Sequence, residues 1–142
     1  MKRLVPKMIK LLVRYYSGNA DALQKRVNER ITRKFNIWVA EKKYCRPDIG
    51  LSEVAAEFEV SEEELSYFFS TIMGCRFSSI RKRLRLEEAR RLINENPNMK
   101  IIQVANLVGI KDKCNFRKQF KETFNISPSE WQAECRRHKK IK

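Results

Sequence analysis

Six residues between Lys113 and Lys121 have side chains that can bind the edges of nucleotide bases. An Asn side chain forms paired hydrogen bonds with adenine, and Arg or Lys does so with guanine. Phenylalanines recur every four residues among them, at positions 116, 120 and 124, so a helix would bury the rings and expose the polar side. An ordinary solvated helix face would have the same pattern. The six candidates are Lys113, Cys114, Asn115, Arg117, Lys118 and Lys121.

A second group of candidates lies about fifty residues earlier and is acidic. Residues 61–75 contain no Lys or Arg, and residues 62–64 are all Glu. Glutamates repel phosphates, although Glu63 can accept a hydrogen bond from the amino group of cytosine. Ser66, Tyr67 and Ser70 are the other side chains here that could contact bases. Two interpretations stay open, because this segment could contact DNA or could serve to pack and to position its neighbour.

Basic residues are concentrated next, at Arg81, Lys82, Arg83 and Arg85. We expect Arg81 to contact phosphate, the others to lie partly on a solvated face, and Arg85 to make internal polar contacts between two helical units. A further basic run, residues 136–140, is expected to be a frayed tail that adds nonspecific attraction.

The whole chain is strongly basic. Its 142 residues include 31 Lys and Arg against 17 Asp and Glu, a formal net charge of +14. This excess fits double-stranded DNA, RNA or an anionic membrane surface as the partner.

Residues for enzyme chemistry or for a cofactor are scarce. Four glycines form no phosphate-binding loop, and His138 is the only histidine. The four cysteines are far apart and have no short ligand spacing, so reduced thiols are expected rather than a metal site. We therefore predict no enzyme activity, no cofactor, no metal and no small-molecule site. Without a signal peptide or a long apolar segment, a complete protein of this kind would be cytoplasmic, and for a fragment the location is open.

One apolar pattern occurs twice and predicts an all-α fold with two helix-turn-helix units. The offset between copies is 50 residues through the first helix of each unit and 51 through the second, and a small Ala lies where each helix pair would cross. The matched positions are Leu51, Val54, Ala55, Phe58, Val60, Leu65 and Phe69 in the first copy, and Ile101, Val104, Ala105, Val108, Ile110, Phe116 and Phe120 in the second.

Capping signals predict where these helices begin and end. Ser61 and Glu64 form a capping box, and Gly74 is expected at the end of that helix. Gly109 is expected in a left-handed turn, and Asp112 at the start of the next helix. The predicted elements are a first unit at about 50–75 with its second helix at 61–73, a linking helix at 77–95, a second unit at about 100–125 with its second helix at 112–124, and a closing helix from 128.

With these repeats and capping motifs, the chain resembles the C-terminal DNA-binding domain of AraC/XylS-family transcription regulators. The resemblance covers about residues 36–136 and is strongest from Phe77 to Trp131. It rests on the motif RLRLEEA at 83–89, the second repeat through Gly109, and SPSEW at 127–131.

The resemblance implies a regulator that binds double-stranded DNA, with the second helix of each unit in consecutive major-groove segments. It makes Lys118 the first choice for a base contact and Lys121 a phosphate contact, with RNA polymerase as a further partner. Departures from the family are Tyr67 where many members have Arg, Asn125 where Gly is usual, and Glu59 at the turn position that Gly109 fills in the second copy.

Residues 1–35 are predicted to be a basic amphipathic helical extension of unknown role. The first twenty contain five basic and no acidic residues, with apolar residues on one helical face over 4–16. Such a segment could bind an anionic membrane surface or a second copy of the chain in a dimer. The alternative function is therefore a membrane-apposed or protein-interaction fragment whose first helix-turn-helix no longer contacts DNA.

Overall fold

Every regular element that the structure describes is helical, which confirms the predicted all-α class. The structure is a computed structural model that describes residues 22–141, so the helix expected at 4–16 lies outside the described residues. The helices are α1 (Ala22–Ala40), α2 (Leu51–Phe58), α3 (Glu62–Phe68), α4 (Phe77–Glu95), α5 (Ile101–Leu107), α6 (Lys113–Phe124) and α7 (Pro128–Ile141), with a short 3-10 turn at Lys43–Cys45 and a π-helical turn at Phe69–Met73.

Contacts divide the described residues into two units, and each contains one helix-turn-helix. The first unit comprises residues 22–43 and 49–80 and holds α2 and α3. The second comprises residues 44–48 and 81–141 and holds α5 and α6. The linking helix α4 has the predicted bounds, with its first four residues in the first unit and the remainder in the second.

Aromatic rings form the core of the first unit. Phe35 of α1 stacks on Trp38 with ring centroids 5.7 Å apart and meets Phe69 edge-on at 5.4 Å. Trp38 in turn contacts Phe77 at 5.8 Å. The predicted boundary between residues 35 and 36 falls inside α1, because this helix continues across it. Ile31, Phe35 and Trp38 of α1 are buried, whereas Leu23 near its start is 74% exposed.

The capping predictions for the first unit are confirmed. The Glu64 amide donates to the Ser61 hydroxyl at 3.0 Å, and the Ser61 amide donates to the Glu64 carboxylate at 3.1 Å. Gly74 ends the segment in the left-handed region, with a φ of 70°.

The expectation of one regular helix over 61–73 is wrong at its second half. The α-helical geometry of α3 stops at Phe68, and the next five residues form a π-helical turn. The hydroxyls of Ser70 and Thr71 both donate to the Tyr67 carbonyl, which in a regular α-helix accepts only the Thr71 amide. Side chains that compete for a backbone acceptor distort a helix in this way.

The second unit buries one continuous apolar cluster, and the second repeat supplies most of it. Leu86, Ala89 and Ile93 of α4 pack with residues of α5 and α6, and Phe116 and Phe120 are fully inaccessible. Asp112 caps α6 as predicted, since its Oδ1 accepts the amides of Cys114 and Asn115. The Glu130 amide donates to the Ser127 hydroxyl at 3.1 Å, so the predicted start of α7 is confirmed.

Both turns place a residue in the left-handed region at the matching position. Gly109 has a φ of 88° and Glu59 a φ of 58°. The Glu59 turn is bound by α1: Arg30 donates to the Glu59 carbonyl at 3.2 Å, and Lys34 donates to the Phe58 carbonyl at 2.9 Å. Asn125 is also left-handed, with a φ of 62°. Asn tolerates this region better than most residues because its short side chain forms local hydrogen bonds.

Arg85 makes the expected internal polar contacts, but within the second unit rather than between units. Its guanidinium is buried and donates at 2.7 Å to the carbonyls of Tyr44 and Arg46, and at 3.4 Å to that of Pro47. Burial and then the charge of Arg81 lower the pKa of Arg85 to about 10, so the group stays charged at neutral pH. The expectation of a contact between units was wrong because residues 44–48, although distant from Arg85 in sequence, belong to the second unit as Arg85 does.

The C-terminal basic run is part of helix α7 and not a frayed tail. Arg136 donates to the Pro97 carbonyl at 3.2 Å, and Lys139 donates to the Glu95 carbonyl at 3.0 Å. Lys139 thus satisfies a carbonyl at the end of α4, where a helix leaves backbone acceptors without partners, and Arg136 satisfies one in the turn that follows. The expectation was wrong because charge composition alone does not reveal such acceptors.

Trp131, the tryptophan of the SPSEW motif, lies at the edge of the apolar cluster of the second unit. Trp131 packs against the cluster but is only half-buried, and its indole N–H donates at 3.0 Å to the side-chain oxygen of Asn94. An indole that needs a hydrogen-bond partner is often kept at the edge of a core. The neighbouring Gln132 is buried and donates to the Met99 carbonyl.

Replacing Trp131 with Ala should therefore cost about 1–3 kcal/mol of unfolding free energy, below the range for emptying a fully buried aromatic site. Urea unfolding of the parent and of W131A measures the difference. W131F is the matched control, because it keeps most of the apolar contact and removes only the bond to Asn94. A loss above about 4 kcal/mol for W131A, or none at all, would contradict this half-buried placement.

Candidate nucleic-acid interface

The candidate residues of helix α6 all have solvent-exposed side chains. Lys113, Cys114, Asn115, Arg117, Lys118 and Lys121 are each exposed. Phe116 and Phe120 anchor the opposite face, with ring centroids 5.8 Å apart. The predicted separation of polar and apolar faces is therefore present, and we call the exposed face of these six residues the α6 surface.

Gln119 belongs beside the α6 surface and was missed by the sequence analysis. Its side-chain N–H donates at 3.3 Å to the side-chain oxygen of Asn115. To pair with adenine, Asn115 needs that oxygen as well as its amino group. The bond to Gln119 must therefore open or be shared when Asn115 binds adenine. The four-residue spacing of the two amides was the available signal.

The candidates of the acidic segment, on α3 and in the π-helical turn after it, are all exposed. Ser66 and Tyr67 are exposed, as are Glu62 and Glu63. Ser70 is also exposed, but its hydroxyl proton is used in the bond to the Tyr67 carbonyl at 3.2 Å. The seven-residue α3 thus offers carboxylates, one hydroxyl and one phenol, without a basic side chain.

Charge is distributed unevenly between the two units. Residues 22–43 and 49–80 contain eight basic and eight acidic side chains, whereas residues 44–48 and 81–141 contain 17 basic and eight acidic ones. Within residues 49–80, Arg76 is the one basic residue against six Glu. Attraction for a polyanion is therefore concentrated in the second unit.

Arg81 is half-buried on α4 in the second unit, where its charge acts on the buried Arg85. It therefore lies in the same unit as the α6 surface, while Glu63, Ser66, Tyr67 and Ser70 lie in the other.

The four cysteines all carry free thiols. Burial raises the pKa of Cys75 and of Cys135, which keeps these two thiols protonated at neutral pH. Over residues 22–141 no three potential metal ligands come together. In the same part of the chain, no helix has the length and apolar composition needed to cross a bilayer.

A family model described as a helix-turn-helix domain matches residues 54–134, more than half of the chain. Its match covers α3, α4, α5 and α6 completely. The solved structures with a similar fold include that of a transcriptional regulator with an AraC-type DNA-binding domain from Chromobacterium violaceum. That match has a TM-score of 0.65 and 23% identity, and it covers 75% of this chain and 92% of the other. The chain belongs to the AraC/XylS family.

Two curated relatives support the same placement. The regulatory protein HrpB of Ralstonia nicotianae is 36% identical over 87 residues, which are 60% of this chain and 18% of that protein. The arabinose operon regulatory protein of Escherichia coli is 32% identical over 88 residues, which are 62% of this chain and 30% of that protein. The AraC-type chain thus spans less than a third of the length of either relative.

Proposed function

We propose that this AraC-type chain binds double-stranded DNA in a sequence-specific way and forms the DNA-binding part of a transcription regulator. The observation that carries the proposal is the α6 surface, where basic and amide side chains are exposed opposite the buried Phe116 and Phe120. Such a helix fits the major groove, which admits one α-helix and displays a distinct pattern for each base pair. Family membership and the names of the relatives support the same function.

Within this proposal, Lys118 contacts a base and Lys121 contacts a phosphate, with Asn115 and Arg117 as further base contacts. Arg81 binds phosphate from the linking helix. In the family arrangement, α3 and α6 would each enter a major-groove segment of the DNA. The acidic α3 then contributes little to the affinity for DNA and serves mainly to position the neighbouring helices of its unit.

For transcription, the bound domain would recruit or block RNA polymerase, and the two outcomes remain alternatives. Dimerisation or membrane attachment through residues 1–35 stays a prediction, since most of that segment lies outside the described residues.

The test of duplex binding is its dependence on salt. Contact with about 6–8 phosphates makes the logarithm of affinity fall with the logarithm of salt concentration at a slope near −5 to −7, because bound cations are released from DNA. Fluorescence anisotropy of a labelled duplex, selected from a random library on this chain, measures the slope. A slope near zero, or equal affinity for single-stranded RNA, would contradict the proposal.

A further inference from the structure

Two arginines of α4 cover the last side chain of α6. The guanidinium carbon of Arg90 lies 4.5 Å from the centroid of the Phe124 ring, and that of Arg83 lies 5.7 Å from it. Cations within about 6 Å of an aromatic centroid are attracted by the negative face of the ring. Arg83 is exposed, as expected for a solvated basic face, and in addition its guanidinium contacts this ring.

Glu87 joins these two arginines through separate oxygens. Its Oε1 lies 3.0 Å from Arg83, and its Oε2 lies 2.8 Å from Arg90. Spacings of four and three residues place all three side chains on one face of α4. The carboxylate offsets the repulsion between two cations that share one ring. Without it, the arginines would separate and uncover Phe124.

Phe124 connects this cluster to the α6 surface. Its ring meets that of the fully buried Phe120 edge-on, with centroids 4.8 Å apart. The next residue, Asn125, ends the helix and donates its amide to the Lys121 carbonyl at 2.8 Å. The Arg–Glu–Arg cluster on Phe124 thus holds the helical turn that carries Lys121 and follows Lys118.

We propose that Glu87 is a positioning residue for sequence-specific DNA binding: it holds Arg83 and Arg90 on Phe124 and thereby fixes the orientation of α6. This inference rests on the proposed function and adds a residue that acts through α6 rather than by touching DNA. A carboxylate near a polyanion disfavours nonspecific binding. Loss of Glu87 should therefore leave affinity for unrelated DNA equal or higher, while the less firmly held α6 lowers affinity for the selected duplex relative to it.

The first measurement compares affinities for a library-selected duplex and for a scrambled duplex of the same length. In Glu87→Gln and in Phe124→Leu, the ratio of the two affinities should fall about fivefold or more. Phe124→Leu removes the ring without a change of charge, so it separates positioning from electrostatics. Glu122→Gln is the matched control, because it removes an exposed carboxylate from α6 itself and should leave the ratio within about twofold.

The second measurement needs no DNA. Amide hydrogen exchange at Phe124 and Asn125 should become at least about fivefold faster in Glu87→Gln than in Glu122→Gln, since local opening is controlled by the contacts that hold a segment. Unchanged exchange in Glu87→Gln would overturn the inference. An unchanged affinity ratio in both Glu87→Gln and Phe124→Leu would overturn it as well, even where the parent chain binds the duplex. Failure of the parent to bind any duplex would instead contradict the proposed function.

Discussion

Replacing Gly109 with Ala should destabilise the protein by about 2–5 kcal/mol, the largest effect on stability that we expect from a single methyl group. A Cβ at Gly109 would lie 2.4 Å from the Cys45 carbonyl oxygen and 3.3 Å from the Arg85 guanidinium carbon. The left-handed backbone adds roughly 1–2 kcal/mol for any residue with a Cβ, and crowding in a packed site typically adds about 1–3 kcal/mol. Urea unfolding followed by circular dichroism measures the loss.

Gly74 offers a matched control for this substitution. It has a similar φ of 70°, but an added Cβ would have no neighbour within 4 Å. Gly74→Ala should therefore show only the backbone cost of roughly 1–2 kcal/mol. The difference between the two variants isolates the contact with the Cys45 backbone. Equal losses in both would show that this contact does not constrain the second unit.

Replacing Lys118 with Ala should weaken binding of the selected duplex by about 1–3 kcal/mol and relax discrimination at one base pair, as expected for a base contact. Lys25→Ala is the control, since Lys25 is an exposed lysine of α1 in the first unit. Its removal should change affinity by less than about 0.5 kcal/mol. Competition titrations against duplexes with single base-pair changes measure both affinity and discrimination. A loss that is equal for every sequence would reassign Lys118 to phosphate contact.

The exposed glutamates of α3 should weaken DNA binding, whereas Lys118 strengthens it. Glu62 and Glu63 are exposed, whereas Glu64 is engaged in the capping box with Ser61. Replacing Glu62 and Glu63 by Gln should keep the fold and raise affinity for a scrambled duplex, because two repulsive charges are removed. A variant that binds the selected duplex much more weakly and the scrambled one no better would identify these glutamates as base contacts instead.

Local sequence signals predicted the second unit well because each depends on a few adjacent residues. Asp112, Gly109 and Asn125 have the predicted roles, and α4 has the predicted bounds. Such signals report backbone preferences that need no knowledge of distant contacts. The face of α6 followed from its phenylalanine spacing for the same reason.

Features that depend on tertiary contacts could not be predicted in this way. The hydrogen bond from the Trp131 indole goes to Asn94, which is 37 residues away. The contacts of Arg83 and Arg90 with Phe124 join two helices, so spacing and charge along α4 alone did not predict them.

The central claim is that the α6 surface is the main DNA-contacting surface of this AraC-type chain. The most direct measurement is nuclear magnetic resonance of the isotope-labelled chain, titrated with the selected duplex. We predict that the largest changes in amide and side-chain signals fall on residues 113–121, with much smaller changes on residues 62–70. Changes concentrated on residues 62–70, or confined to neither helix, would contradict the claim.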